Sequence, residues 1–500
     1  MWRHVRLLLG TLPLAACATM GATARSYVTA PDGLLMDDAR VRTMLADGRA
    51  TAALAAVRDR RSHLSPDDEL LRLLYEATAA RYAGQYAVAG QLFDRAFQVS
   101  EDRFTKSVTR TATSLLTNDF ALPYTAGWSE RLLLHYNALL TWSAAGDRDA
   151  AAVEARRLVT LLARIAPPEA DEKPVRALLH ATAAAAFRAA GEVEDARVAE
   201  RNAIALGAPL DTMPRAIPAD SGDVVVAVER GFVAHKVAVG LTLPIFGDDN
   251  SAAWQTGGTP RGVTDRMLVN FAALKGEGLW WDDVPSWRFG GNPLFMRGGR
   301  VSYVLDMSWP VLRRPRPVSP SMPVVDGLAG GATPLLGADL SAAIAGDYRR
   351  DRGAIMGRTL ARAAAKYLAS EAVEAAAKAA VDEKKPRRKN KKKDDDDWGA
   401  ALIVGIFGAL ANGTEMYLER ADTRGWALLP GQVQLVTVRV AAGTQPVRIR
   451  VGDVEATIPD VAVRGGGTTV ASVRIWREPR GGALLSGTGG RAAATGAIAP

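Results

Sequence analysis

From about Met36 to Leu206 apolar positions recur at helical spacing, and turn-forming residues interrupt them at intervals. The clearest frame is Tyr82-Ala83-Gly84-Gln85-Tyr86, followed by Ala89, Phe93 and Ala96. A glycine there allows a tight turn between two helices, and a nearby alanine lets them approach closely. The aromatic and the next alanine continue one buried face. The frame returns at Gly146 with Ala151, Ala155 and Leu158, and at Gly191 with Val193, Ala196 and Ala203. A weaker copy begins at Gly48 with Ala53 and Val57. The pattern predicts antiparallel helical hairpins over 36–207, with Gly84 and Gly146 in turns and Ala89 and Ala151 buried at the crossings.

This frame resembles the tetratricopeptide repeat, although its copies are unevenly spaced. Alanine-rich hairpins without repeat ancestry are the alternative. Both stack helix pairs into a solenoid, because one pair cannot bury its apolar face alone. Ala166-Pro167-Pro168-Glu169 reads as a loop between helices, and Pro209, Pro214 and Pro218 mark a linker.

After the linker the period shifts towards two. Asp223–Val228 and Ala234–Leu243 read as strands with Arg230-Gly231 as a turn between them, and Val301–Val311 as a third. Together with the basic connector Arg313-Arg314-Pro315-Arg316-Pro317 they suggest a β-rich central region, 222–320. Region 338–420 reads as a helical pair, Asp339–Val381 and then Trp398–Arg420, interrupted by a charged insertion at 382–397. That insertion has too little apolar surface to order itself. In 421–478, Val447, Ile449 and Val451 alternate with arginines, and Val454, Ala456 and Ile458 follow the Gly452-Asp453 turn. With Ala471, Val473 and Ile475 and the strand Gln432–Val440 they predict a small antiparallel sheet, a meander or half-sandwich. Residues 479–500 form a Gly/Ala-rich tail expected to be disordered. The fold class expected is α+β: a helical solenoid, a mixed β-containing region, a helical pair and a small C-terminal sheet.

The first residues carry an address. Arg3 and Arg6 precede an apolar stretch from Leu7 to Leu14, and Leu14-Ala15-Ala16-Cys17 ends it. This is the pattern of a secretory signal peptide. It is too short for a membrane span, which needs about twenty apolar residues. Cys17 is the only cysteine in the 500 residues and stands where cleavage would make it the first mature residue. The segment resembles the bacterial lipobox, which implies lipidation of Cys17, removal of the rest of 1–17, and fatty-acyl anchoring. A plain signal peptide is the competing reading. Ala18 and Thr19 follow, with no aspartate at the second mature position, so the resemblance implies sorting to the outer membrane, on its periplasmic face.

Composition narrows the chemistry. With one cysteine, intramolecular disulfides and thiolate metal sites are excluded. The five histidines are scattered, none with a second ligand at helical spacing, so no metal or other cofactor is expected. The net charge of +8 comes largely from the run Lys384 to Lys393, which Asp394–Asp397 follow. In an exported protein this run implies a solvated loop or transient contact with anionic lipid, not nucleic acid. No Gly-x-Ser-x-Gly, His-Glu-x-x-His or Walker A sequence occurs, and the chain is not expected to be an enzyme. The one candidate ligand site is Trp280-Trp281-Asp282-Asp283 with Trp287, because aromatics beside carboxylates suit a glycan. Asp282 and Asp283 are adjacent and cannot flank one glycosidic bond. Tryptophans plugging the edge of a core are the alternative. The glycine-punctuated stretch Trp398–Gly413 suits close helix packing, in a core, at a membrane or in an oligomer.

Three segments together carry a wider resemblance: His135-Tyr136-Asn137-Ala138-Leu139 with the helix after Gly146, the strands leading to Leu243-Pro244-Ile245, and Ala421-Asp422-Thr423-Arg424-Gly425-Trp426 with Leu429-Pro430. The layout is similar to a family of uncharacterised bacterial lipoproteins with tetratricopeptide-like N-terminal halves. The resemblance implies structure and location, not an activity. The expected function is an outer-membrane-anchored periplasmic scaffold that binds an envelope protein partner along a concave helical face. A peptidoglycan-binding or cell-wall synthase regulatory factor, and an oligomeric envelope-assembly component, are the alternatives.

Overall fold

The computed structural model describes residues 34, 36–60, 68–107, 122–210, 216–246, 301–313, 318, 321–328, 333–382 and 421–476. Within them eight helices precede the first strand. They are α1 (Met36–Ala46), α2 (Ala50–Arg60), α3 (Glu69–Tyr82), α4 (Tyr86–Ser107), α5 (Trp128–Ala144), α6 (Arg148–Arg164), α7 (Lys173–Ala190) and α8 (Val193–Ala205). They form four hairpins, each turning at a glycine with positive φ: Gly48, Gly84, Gly146 and Gly191. Each turn closes with the same six-residue hydrogen bond across the helix end. The N–H groups of Arg49, Gln85, Asp147 and Glu192 donate to the carbonyls of Met44, Ala80, Trp142 and Phe187. A left-handed residue is required at that point of the turn, and glycine meets it without steric cost. Ala53, Ala89, Ala151 and Ala196 are all buried at the crossings.

Strands β1 (Ser221–Arg230), β2 (His235–Phe246), β3 (Val301–Arg313), β4 (Pro323–Val325) and β5 (Thr333–Asp339) follow, then helix α9 (Ser341–Asp382). Strands β6 (Gln432–Ala441), β7 (Gly443–Val451), β8 (Val454–Val463) and β9 (Thr468–Ile475) complete the described chain. One sheet has the order β5-β6-β1-β9, a second the order β4-β7-β8, and among the described residues β2 pairs with β3 alone. At the coarse level the fold is α+β, with a helical-repeat half and sheets.

The topology corrects three expectations. First, 222–320 and 421–478 are not separate β units. Strand β1 lies between β6 and β9, so the first strand after the linker is central to a sheet completed by the C-terminal strands. Second, β1 and β2 do not pair with each other; β2 leaves the sheet after Gly231 and pairs with β3 from His235↔Arg313 outward. Third, the C-terminal strands are not a simple antiparallel sheet, because β9 runs parallel to β1. Local alternation fixes which face of a strand is apolar but not which distant strand it meets.

The two larger sheets pack face to face. Val224, Val226 and Val228 of β1 meet Val447, Ile449 and Val451 of β7 and Ile458 of β8 in one core. The opposite face of β1, with Val225 and Ala227, joins the helical core together with Val433, Leu435 and Val470. The molecule therefore has three layers: helices, the β5-β6-β1-β9 sheet, and the β4-β7-β8 sheet. The middle sheet is buried on both faces, which explains the almost unbroken valine run in β1. The sheet corners are tied by Leu328 N–H donating to Arg439 O (2.9 Å) and Thr469 Oγ1 to Ala462 O (3.1 Å).

Helix α9 starts against the helical layer and then follows β3. Ala345 and Tyr348 pack on Leu312 and Ala234, and the Tyr348 hydroxyl donates to Pro310 O at 3.0 Å. Of the insertion expected at 382–397, Asp382 ends α9; the rest of it, the partner helix expected for α9 and the stretch Trp398–Gly413 lie outside the described residues.

Candidate functional site

A solenoid of hairpins ordinarily offers its inner helices as a binding groove. Here α3, α5 and α7 are the inner helices, and their surfaces are buried almost all round. Trp426, Leu428 and Leu429 and the helix-facing side of the middle sheet share their core. The chain therefore fills its own groove, and among the described residues the concave helical face is covered by the middle sheet. The reason is the valine and alanine content of both faces of β1, which needs a second apolar layer to cover it.

A charged cluster lies inside this interface. Arg81 of α3 donates from Nη1 to Asn137 Oδ1 (2.9 Å) and Glu229 Oε1 (3.2 Å), and from Nη2 to Ser472 Oγ (2.9 Å). The Tyr136 and Tyr82 hydroxyls also donate to Glu229, at 3.3 and 3.4 Å. Arg81 and Glu229 are fully enclosed, with 4% and 0% of their side chains exposed. Burial disfavours the Arg81 cation, but the Glu229 carboxylate outweighs it and holds the guanidinium charged. Burial, then Glu229, pushes the Tyr82 phenol up to about 12 and Tyr136 well above its ordinary value. This cluster joins four elements, α3, α5, β1 and β9, and leaves no face open to a substrate. It is a structural pin.

The segment singled out at Ala421–Trp426 makes a second tie. The Arg424 guanidinium donates to Asp422 (2.7 and 2.8 Å), to Asp68 at the start of α3 (2.9 Å) and to Leu122 O (3.0 Å). Trp426 N–H donates to Glu130 Oε1 (2.8 Å), and its indole N–H to Thr78 Oγ1 (2.9 Å). His135 of the other resemblance segment contacts Glu154 Oε2 at 2.7 Å, also inside the helical layer.

Beside this segment lies a recess of about 120 Å³, walled by Val233, Lys236, Asp347, Tyr348 and Trp426 among others. Two of its carboxylates are committed to the fold. Glu130 accepts from Tyr124, Gly127 and Trp426, and Asp347 accepts from Ser129 and Arg350. Among the described residues no group of three or more His, Cys, Asp or Glu side chains is arranged to hold a metal ion. None of their helices is long and apolar enough to cross a membrane.

Cys17, Trp280, Trp281, Asp282 and Trp287, the site residues expected from sequence, all lie outside the described residues. The buried pin was missed. Its signal was present as Glu229-Arg230 closing a run of valines, where charged residues in a buried strand demand partners.

No family model matches the chain, and no curated protein matches it. Among solved structures it is similar to a kinesin-light-chain-type protein of Podosopora anserina with nearly identical TPR-like repeats. The identity is 18%, over 36% of this chain and 77% of that one, with a TM-score of 0.26. A point variant of that protein gives the same identity and TM-score over 76% of its length. A TM-score of 0.26 is too low to equate the folds, and the hairpin repeat described above rests on this chain's own turns.

Proposed function

We propose that the protein is a lipid-anchored scaffold of the bacterial outer membrane, facing the periplasm, that holds an envelope protein partner on the outer helices of its solenoid. One observation carries the location of the contact. The inner helices are covered by the chain's own sheet, while α4, α6 and α8 keep a solvent face on which Val88, Val153 and Val198 are 40%, 40% and 46% exposed. The three-layer body supports this reading as a rigid platform, and repeat helices suit an extended contact surface. The lipobox at Cys17 supports the anchor. The reading assigns no reaction, cofactor, metal or nucleic acid to the chain.

The test uses the full chain in intact cells, with a photo-crosslinking residue at Val88, Val153 or Val198 and, for comparison, at Val324 on the outer sheet. A discrete adduct from the helix positions and none from Val324 is expected. Adducts only from Val324, or from no position, would remove the outer helices as the contact. In parallel, a fatty-acid analogue should label the parent and not Cys17→Ser; label retained in that variant would remove the anchor.

A further inference from the structure

Arg474 near the end of β9 is 1% exposed and lies opposite Glu229 in the strand register. Glu229 nevertheless takes its hydrogen bonds from Arg81, Tyr82 and Tyr136. Among the described residues Arg474 makes one hydrogen bond, from Nη2 to Gly231 O. Its Nε and Nη1 have no acceptor among the described residues, and neither has the indole Nε1 of Trp476, two positions along the chain.

Three rings surround the guanidinium. The centroids of Trp476, Phe232 and Tyr82 lie 4.7, 5.1 and 5.7 Å from its Cζ. Rings attract a cation but carry no net charge. Among the described residues of this cluster the balance is then two guanidiniums, Arg81 and Arg474, against one carboxylate. The phenols cannot redress it, because burial and Glu229 keep both Tyr82 and Tyr136 protonated. Burying an uncompensated charge with idle donors is costly, so such a place favours a negatively charged acceptor.

We propose that Arg474 and Trp476 form a binding site for a small monovalent inorganic anion, enclosed between the helical layer and the middle sheet. The charge balance selects a single negative charge, since a divalent ion would reverse the excess. The three rings crowd the guanidinium, which favours a small ion. Such an ion links the last strand to the first strand and to α3, so occupancy strengthens the docking of helices on sheet.

The experiment is thermal unfolding of the full chain at fixed ionic strength in sodium chloride and in sodium gluconate, whose anion is far larger than chloride. A ligand of the folded state raises Tm in a saturable way. The expected rise in chloride is at least about 2 °C for a chain of this size. Trp476→Phe, which keeps the ring and removes the donor, should diminish the rise, and Arg474→Met should abolish it. Should Arg474→Met fail to fold, the Trp476→Phe comparison decides alone. Equal Tm of the parent in the two salts, or an undiminished chloride effect in Trp476→Phe, would overturn the proposal.

Discussion

Residue by residue, the interior of this protein holds more charge than its apolar patterning suggests. Arg81, Glu229 and Arg474 are each 3% exposed or less, and Arg424 is 4% exposed. Their value lies in specificity: a carboxylate that must meet Arg81 and two tyrosines allows one register between helices and sheet. His180 of α7 shows the opposite case. It is 8% exposed, and its Nδ1 has no partner among the described residues. Burial, assisted by nearby Arg176, pushes its pKa down to about 4 from 6.5. Between those values the unfolded chain binds a proton that the folded chain does not. Stability from this group is complete above about pH 6.5 and is lost as pH falls towards 4, by about 3 kcal/mol in full. Denaturant unfolding of the parent and His180→Leu at pH 7 and pH 4.5 checks this. The parent should lose more stability on acidification than the variant; equal losses would show that His180 does not titrate in that window.

Among the helices and strands, the four hairpin turns are settled locally, whereas the start of α5 is settled from a distance. The four hairpin turns close by hydrogen bonds among neighbouring residues around a glycine. Helix α5 instead begins at Gly127, which has no side chain with which to cap it. Asp347 of α9 fills that role, its Oδ2 accepting from Ser129 N–H at 2.6 Å. A methyl group added at Gly127 would lie 2.7 Å from the same oxygen, so the glycine is there to admit the carboxylate. Replacing a capping carboxylate by alanine costs about 1 kcal/mol. Asp347→Ala should therefore lower Tm, and Gly127→Ala should lower it further in the parent than in the Asp347→Ala background. Strictly additive shifts in the double variant would show that the two residues do not act on each other.

Across the three layers, the solenoid and the sheets share one core and cannot be read as modules. The helices supply one face of the middle sheet, and the sheet covers α3, α5 and α7. Residues 34–210 produced alone would expose that apolar groove, and exposed patches of that kind drive association. The fragment should bind a hydrophobic dye strongly and sediment as aggregates, where the full chain does neither. A monomeric, dye-silent fragment with full helical content would show that the groove is stable when open.

The elements and their apolar faces were legible in the sequence. Glycine at a required left-handed turn, alanine at each helix crossing and alternating valines in the strands are local constraints, and they marked out the four hairpins and most strands. The resemblance segments around His135 and Arg424 were also visible, although their work as interior ties was not. Tertiary packing set the rest: that β1 lies between β6 and β9, that β9 runs parallel to it, and that the groove is filled from within. The physical reason is that period and propensity act over a few residues, whereas strand partners and layer order depend on which apolar faces remain uncovered once all elements form. Glu229 illustrates it, since nothing near it in sequence supplies Arg81, Tyr136 or the buried space where they meet.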